Sequence, residues 1–233
     1  MKTLSCIALG MLTTTLGHAG TIVIDGGTTA HVTGEVADAM AEYYTIGAEQ
    51  IELTRPVTFN QFDWWGAYAW GGRPSVLDNF ALYIYSDAGP IPGALLSSRA
   101  MSPFNVNATG YQISFGGPST LSNEYSYSAL FSDVTLSPGR YYIGLERFGG
   151  FLNYGDPGYS QWVWTGGVGG PQSTSVVAGL YHDSTTPPYW VPQARTPLAF
   201  DAVYNAAPVP EPGTWALLAS GLGLTLVASR RRT

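Results

Sequence analysis

Four acidic residues stand close to aromatic residues in the sequence and are the first candidates for chemistry: Asp63, Glu146, Asp156 and Asp183. Hydrolysis of a glycosidic bond needs two carboxyl groups that the fold brings together, one as acid and one as base or nucleophile. Aromatic neighbours suit such a site because their rings pack against the apolar faces of sugars. A chain with 16 acidic residues offers many such pairs, so solvated acids are the simpler interpretation, and we assign no catalytic residue.

Motifs with a defined catalytic or metal-binding spacing are absent from the sequence. It contains no Gly-x-Ser-x-Gly, no His-Glu-x-x-His and no phosphate-binding Gly-Lys-Ser/Thr. His31 and His182 are far apart and lack the spacing of metal ligands. Calcium could be considered at Asp78, Asp87 or Asp156, but no repeated Asp spacing supports it. We therefore predict neither a metal nor a cofactor.

Among the remaining residues, the tryptophans give the strongest indication of a ligand-binding surface. Trp162 and Trp164 are two residues apart, so on a strand they share a face at a separation of about 6.5 to 7 Å. Turn-forming and glycine-rich segments flank them. This pattern predicts a sugar-stacking surface, although aromatic side chains fill protein cores equally well. Trp65 and Trp190 are the alternatives if the first two are buried.

The segment around Trp65 is a second aromatic run. Read as a strand, it places four aromatic side chains on one face, which we expect in the core: Phe62, Trp64, Tyr68 and Trp70. Trp65 then stands alone among smaller or polar neighbours on the other face. The alternation therefore separates one tryptophan from the aromatic core.

Short alternating segments bounded by Gly and Pro predict an all-β fold. The chain has 29 Gly, 16 Pro and 15 Tyr, and long helical periodicity is absent. The clearest period-2 patterns are 78–87, 141–147 and 198–204, with Ile143 and Leu145 expected in the core. Further strands are expected at 21–25, 51–59, 111–115, 125–130 and 161–165. Eight to twelve short strands favour a two-sheet sandwich of jelly-roll type.

The first nineteen residues have the pattern of a secretory signal peptide. Lys2 provides a positive start, an apolar run follows, and Gly17-His18-Ala19 forms a small-x-small cleavage site. We expect cleavage between Ala19 and Gly20. Cys6, the only cysteine, leaves with this peptide, which excludes disulfides, thiolate metal sites and a cysteine nucleophile from the mature chain.

The last residues form three consecutive parts. Pro210, Glu211 and Pro212 make a rigid segment that a helix cannot continue through. An uncharged run over 213–229 is long enough to cross a bilayer core as a single transmembrane helix. Arg230, Arg231 and Arg232 follow and predict a cytoplasmic C-terminus. The chain thus divides into a signal peptide (1–19), a β-sandwich domain (20–207) and a C-terminal segment (208–233).

This C-terminal arrangement resembles the PEP-CTERM sorting signal of exported bacterial proteins. The resemblance covers about the last twenty-five residues. It implies passage through the export machinery, transient anchoring in the inner membrane, and recognition by an exosortase-type processing enzyme. A plain C-terminal membrane anchor is the alternative. The body also loosely resembles the β-sandwich domains of such proteins, which implies a fold and no activity.

The net charge of the chain excludes one class of binding partner. Without its two terminal segments the chain keeps 6 of the 10 basic and 15 of the 16 acidic residues, a net charge of −9. Such a surface repels nucleic acid. The sequence therefore predicts an exported cell-envelope or extracellular-matrix protein, a non-catalytic binding or structural β-sandwich associated with extracellular polysaccharide in a biofilm. The alternative is a secreted glycan hydrolase with paired carboxylates.

Overall fold

The computed structural model describes residues 21–36, 44–69, 72–75, 78–114, 121–148, 161–181, 188–193 and 197–205. Residues Thr21–Asn205 belong to one compact unit. The expected signal peptide and cleavage site, the Pro210-Glu211-Pro212 segment, the transmembrane helix and the arginine cluster all lie outside the described residues, as do Trp70, Asp156, His182 and Asp183.

The described residues form twelve β-strands and no α-helix. The strands are β1 (Thr21–Val36), β2 (Tyr44–Leu53), β3 (Val57–Tyr68), β4 (Asn79–Asp87), β5 (Pro92–Ala100), β6 (Phe104–Ser114), β7 (Leu121–Leu136), β8 (Gly139–Phe148), β9 (Trp162–Gly169), β10 (Ser173–Tyr181), β11 (Tyr189–Gln193) and β12 (Phe200–Tyr204). The described chain holds no helix of the length and apolarity needed to span a membrane.

The strands make two six-stranded sheets. Sheet A has the order β12-β1-β9-β3-β7-β6, with an additional β12–β3 pairing, and sheet B has the order β11-β10-β2-β8-β4-β5. The prediction of an all-β protein with two sheets is confirmed. One predicted strand is wrong: residues 51–59 do not run continuously, because β2 ends at Leu53 and β3 begins at Val57. Pro56, which lacks a backbone donor, lies in the break.

One position in sheet A is shared by two strands. β1 pairs with β12 over Thr21–Gly27 and with β9 from Gly27 onward. β3 likewise pairs with β12 over Gln61–Trp64 and with β9 over Gly66–Tyr68. β9 and β12 therefore follow one another in the space between β1 and β3, and together they complete the middle of the sheet.

Aromatic side chains join the two sheets. Phe80 of sheet B contacts four rings of sheet A, with centroid distances of 5.2 Å to Trp64, Phe104 and Tyr127 and 5.0 Å to Trp162. The expected burial of Phe62, Trp64 and Tyr68 on one face of β3 is confirmed. So is that of Ile143 and Leu145 on β8. Burial of these apolar side chains between the sheets is the main source of stability.

A buried ion pair lies at one end of the core. Arg147 donates to Asp78 Oδ1 from Nε at 2.9 Å and from Nη2 at 2.7 Å. Tyr68 donates its hydroxyl proton to Asp78 Oδ2, and the Ser75 amide donates to the same oxygen at 2.7 Å. Burial raises the pKa of Tyr68, which keeps that hydroxyl protonated. Both oxygens of the buried carboxylate are therefore hydrogen-bonded.

Candidate functional site

Trp162 and Trp164 are fully buried, so the expected sugar-stacking surface at these residues is wrong. β9 lies in the middle of sheet A, and both indoles point into the core. Trp164 Nε1 donates to the Ala199 carbonyl at 2.8 Å. A β-carbon at Gly66 would collide with the Trp162 ring, so this glycine makes room for the indole. The glycines that follow Trp164 in the sequence are part of β9 up to Gly169 rather than a loop.

Trp65 lies on the outer face of sheet A and lines a groove of about 320 Å³. The strand alternation that buries Phe62 and Trp64 turns Asp63 and Trp65 outward, where both are partly exposed. The groove is otherwise polar, and its remaining lining residues are Gln61, Asn107, Ser126, Tyr127, Ser128 and Asp201. An indole and several hydrogen-bonding side chains thus share one concave surface.

Cross-strand pairing places the polar groups of this groove in rows. Asp63 is opposite Ser128 of β7 on one side and opposite Asp201 of β12 on the other. Trp65 is opposite Ser126, which is in turn opposite Asn107 of β6. Directly opposite residues lie about 4.5 to 5.5 Å apart at their β-carbons, so each row presents its side chains together.

The row that contains Asp63 holds three carboxyl groups, one on each of three strands that are neighbours in the sheet. Asp25 of β1 is opposite Asp201, and Asp201 is opposite Asp63. Partial burial and the neighbouring charges of Asp25 and Asp63 raise the pKa of Asp201 from 3.8 to about 6. Gln61 Nε2 donates to both oxygens of Asp63, at 2.7 and 2.9 Å. Two adjacent carboxyl groups therefore sit in different electrostatic environments.

Of the four acids singled out from the sequence, the two that the structure describes do not meet one another. Asp63 is on the outer face of sheet A, whereas Glu146 is on the outer face of sheet B, where Tyr83 donates its hydroxyl proton to Oε2 at 2.6 Å. The partner that the fold gives to Asp63 is Asp201, which sequence reasoning missed. The sequence did contain a signal for Asp201. The alternation of residues 198–204 turns its side chain away from Phe200 and Ala202, which point into the core.

Trp190 lies on the outer face of sheet B and is partly buried. Its ring meets that of Tyr85 edge-on, with centroids 5.2 Å apart and planes at 79°. Tyr85 in turn stacks with Tyr83 at 6.1 Å and 30°. Trp65 and Trp190, the two alternatives to the buried tryptophans, thus stand on the outer faces of opposite sheets.

The described residues contain no group of three His, Cys, Asp or Glu side chains that could hold a metal ion. Asp78, considered for calcium, is already paired with Arg147. Asp87, also considered, accepts from Gln50 Nε2 at 2.7 Å and from the Gly89 amide at 3.1 Å. These two carboxylates are held by protein donors, which suits structural roles.

Comparison with known families identifies the C-terminal segment. Residues 208–232 match the model of the PEP-CTERM protein-sorting motif. The match confirms the resemblance drawn from Pro210-Glu211-Pro212 and from the arginines at 230–232, and it indicates export with exosortase-dependent sorting. Comparison with curated proteins and with solved structures gives no match.

Proposed function

We propose that this protein is a non-catalytic glycan-binding β-sandwich of the cell envelope or extracellular matrix, and that it binds sugar in the groove beside Trp65. The observation that carries the proposal is the combination in this groove of a partly exposed indole with carboxylate, amide and hydroxyl groups. An indole packs against the C–H face of a pyranose ring, while the sugar hydroxyls hydrogen-bond to the polar groups around it.

The side chains of the groove are held in place before any ligand arrives. They stand on adjacent strands, and Gln61 is fixed by its bonds to Asp63 and by the Asn205 amide group that donates to its carbonyl oxygen. Preorganised groups lose little entropy on binding. The groove lining carries carboxylates and no lysine or arginine. Its charge therefore favours neutral or amino sugars over uronic acids and phosphorylated glycans.

We further infer that the sandwich is of jelly-roll type. The strand order supports this, because sheet A contains the run β1-β9-β3-β7 and sheet B the run β2-β8-β4-β5. Such interleaving follows when strands of two Greek keys alternate between sheets. Some lectin domains are jelly rolls. This likeness supports glycan binding only as an analogy of fold.

The proposed route to the matrix follows the terminal segments. The signal peptide is removed between Ala19 and Gly20, the helix over 213–229 holds the protein in the inner membrane, and an exosortase-type enzyme cuts near Pro210-Glu211-Pro212. Mass spectrometry of the protein recovered outside the cell should show a start at Gly20 and loss of the arginine cluster. An intact arginine tail on extracellular protein would exclude this route.

A second candidate function is glycan hydrolysis by Asp63 and Asp201. The observation in its favour is that two carboxyl groups lie opposite one another and that one has a pKa of about 6, as a general acid requires. The hydrolase would release reducing ends from a glycan, and Asp201→Asn would abolish that release. The binding module would retain the glycan without any turnover.

The deciding experiment uses the exopolysaccharide of the producing cells, with its neutral fraction separated by anion exchange. Wild type should bind this fraction without releasing reducing ends, and Trp65→Ala should weaken the binding at the groove by about tenfold or more. Val168→Ala, which shortens an exposed side chain elsewhere in sheet A, is the matched control and should bind as wild type does. Unchanged binding by Trp65→Ala at unchanged stability would rule out the groove.

A further inference from the structure

The groove beside Trp65 carries negative charge that the hydroxyl groups of a sugar do not compensate. Asp63 and Asp201 line the groove, and Asp25 stands opposite Asp201 on the next strand. All three aspartates are partly exposed. A ligand that covers a carboxylate must offset its lost hydration, and a cationic group does this better than a neutral one. The charge of the groove therefore indicates a ligand with a positive group.

Within the part of the chain that the structure describes, the protein supplies no cation to these three carboxyl groups. That part contains no lysine, and two of its arginines pair with Asp78 and Glu52 instead. Among the described residues, the one side chain that donates to an oxygen of the row is the neutral amide of Gln61, which bonds to Asp63. The negative charge of the row is thus available to a ligand.

Repulsion within the row makes a cation more favourable there. Partial burial, and then the charges of Asp25 and Asp63, raise the pKa of Asp201 from 3.8 to about 6. The electrostatic field that holds a proton on Asp201 also attracts any other cation that reaches the groove. An ammonium group would donate charge-assisted hydrogen bonds to these carboxylates, and such bonds are stronger than those that a sugar hydroxyl group donates.

Trp65 places a surface for a sugar ring directly beside this charge. It follows Asp63 by two residues on β3, so the two side chains share the outer face at a separation of about 6.5 Å along the strand. A pyranose ring that packs on the indole therefore brings its substituents to the row of carboxylates.

The indole of Trp65 also has a free face, which is an observation independent of the charge. Four other tryptophans of the described chain pack against aromatic rings, namely Trp64, Trp162, Trp164 and Trp190. Trp65 has no such partner among the described rings and is partly exposed in the groove. An indole in this situation gains from a ligand that covers it.

We propose that the groove recognises an amino sugar, a glycan unit with a free protonated amine, whose ring packs on Trp65 while its ammonium group lies between Asp63 and Asp201. This inference rests on the proposed function of the groove and names the class of sugar that it binds. An N-acetylated sugar has an uncharged amide in place of the amine and therefore lacks this ion pair. The groove thus distinguishes polysaccharide with free amines from polysaccharide without them.

The experiment uses the full chain and the exopolysaccharide fraction that an anion exchanger does not retain, which contains neutral and amino sugars alike. One portion stays untreated, a second has its amines N-acetylated, and a third has them reductively methylated, which preserves their positive charge. Calorimetry is done slightly below neutral pH, where the amines are protonated. Wild type should bind the untreated and methylated portions alike, and the acetylated portion about tenfold more weakly.

Asp63→Asn and Asp201→Asn each remove one charge from the row. Each should bring the affinities for the untreated and acetylated portions close together. Asp133→Asn, which changes an exposed carboxylate elsewhere in sheet A, is the matched control and should keep the difference. Thermal unfolding checks that each variant is folded. The three portions of polysaccharide test the proposal on wild type even if a variant does not fold.

Equal affinity of wild type for the untreated and acetylated portions would overturn the amino-sugar assignment. If Trp65→Ala still weakens binding of both portions in that case, the groove keeps its proposed function. Equal weakening by methylation and by acetylation would also overturn the assignment, because the bulk of the amine rather than its charge would then control binding. Binding that a folded Trp65→Ala leaves unchanged, or a wild type that binds no portion, would overturn both proposals.

Discussion

Asp63 of β3 and Asp201 of β12 lie directly opposite one another on the outer face of sheet A. Asp25 flanks Asp201 on the other side. Only the shared position of β9 and β12 creates this row, because β12 must lie between β1 and β3 for the three carboxyl groups to be neighbours. The row therefore depends on a tertiary arrangement of distant segments.

Replacing Asp201 should change how stability depends on pH. Its pKa is raised from 3.8 to about 6, so the folded protein holds this proton more tightly than the unfolded chain. The resulting stabilisation is complete below about pH 3.8 and is lost as the pH rises through about 6. In Asp201→Asn this loss should disappear. Urea unfolding at intervals from pH 4 to 7 measures it.

The control for this variant is Asp133→Asn, which changes an exposed carboxylate in sheet A. We expect its pH profile to follow that of wild type over the same interval. Identical pH profiles for Asp201→Asn and wild type would contradict the electrostatic coupling within the aspartate row.

Glu49, on β2, is fully buried, and we expect its burial to give a second effect of pH on stability. It accepts hydrogen bonds from the Ser173 hydroxyl and the Leu198 amide, and burial raises its pKa from 4.5 to about 8. The protonated form therefore stabilises the fold below about pH 4.5, and this contribution is lost as the pH rises through about 8. Glu49→Gln should unfold at a higher temperature than wild type at pH 9. A lower unfolding temperature at that pH would show that the charged form is the one the fold requires.

Ile143 tests the core between the sheets. It is 1% exposed, so Ile143→Ala should lower the free energy of unfolding by about 2 to 4 kcal/mol through lost burial and a cavity. Leu130→Ala is the matched control, because Leu130 is 68% exposed and its truncation should cost less than about 0.5 kcal/mol. Chemical denaturation of both variants measures the difference. Equal losses would mean that the inward and outward faces have been misassigned.

Two ion pairs among the described residues, Arg147–Asp78 and Arg140–Glu52, should differ sharply in their contribution to stability. Arg147→Met leaves the buried Asp78 carboxylate without its partner and should cost about 3 to 5 kcal/mol. Arg140→Met breaks the exposed pair with Glu52 and should cost about 1 kcal/mol or less. Urea unfolding at low and high salt compares them, and a larger loss from Arg140→Met would contradict the burial of the Asp78 pair.

Local alternation predicted most of the strands and their faces, because a period of two is a property of neighbouring residues. It separated Trp65 from Phe62 and Trp64, and it placed Ile143 in the core, as the structure does. It also placed Asp201 on the face opposite Phe200. These assignments needed no knowledge of strand pairing.

The errors at the candidate site concern strand pairing between distant segments. The glycines after Trp164 look like a loop in the sequence but pair with β1 inside sheet A. The space for the Trp162 ring is provided by Gly66, which lies on β3 almost a hundred residues earlier in the chain. The meeting of Asp63 with Asp201 likewise requires the β3–β12 pairing. A pattern read along one segment contains no information about such partners.

The shared position in sheet A also bears on how an exported chain folds. A protein that crosses a membrane from its N-terminus delivers β1 first and β12 last. Until Phe200–Tyr204 arrives, the backbone groups of Thr21–Gly27 and of Gln61–Trp64 lack the partners that β12 provides. Closing such distant contacts is slow, and sheet A reaches its full set of pairings only after nearly all of the domain has emerged. Tyr204 stands only a few residues before the matched sorting motif at 208–232, so the strand that completes the sheet and the sorting motif emerge one directly after the other.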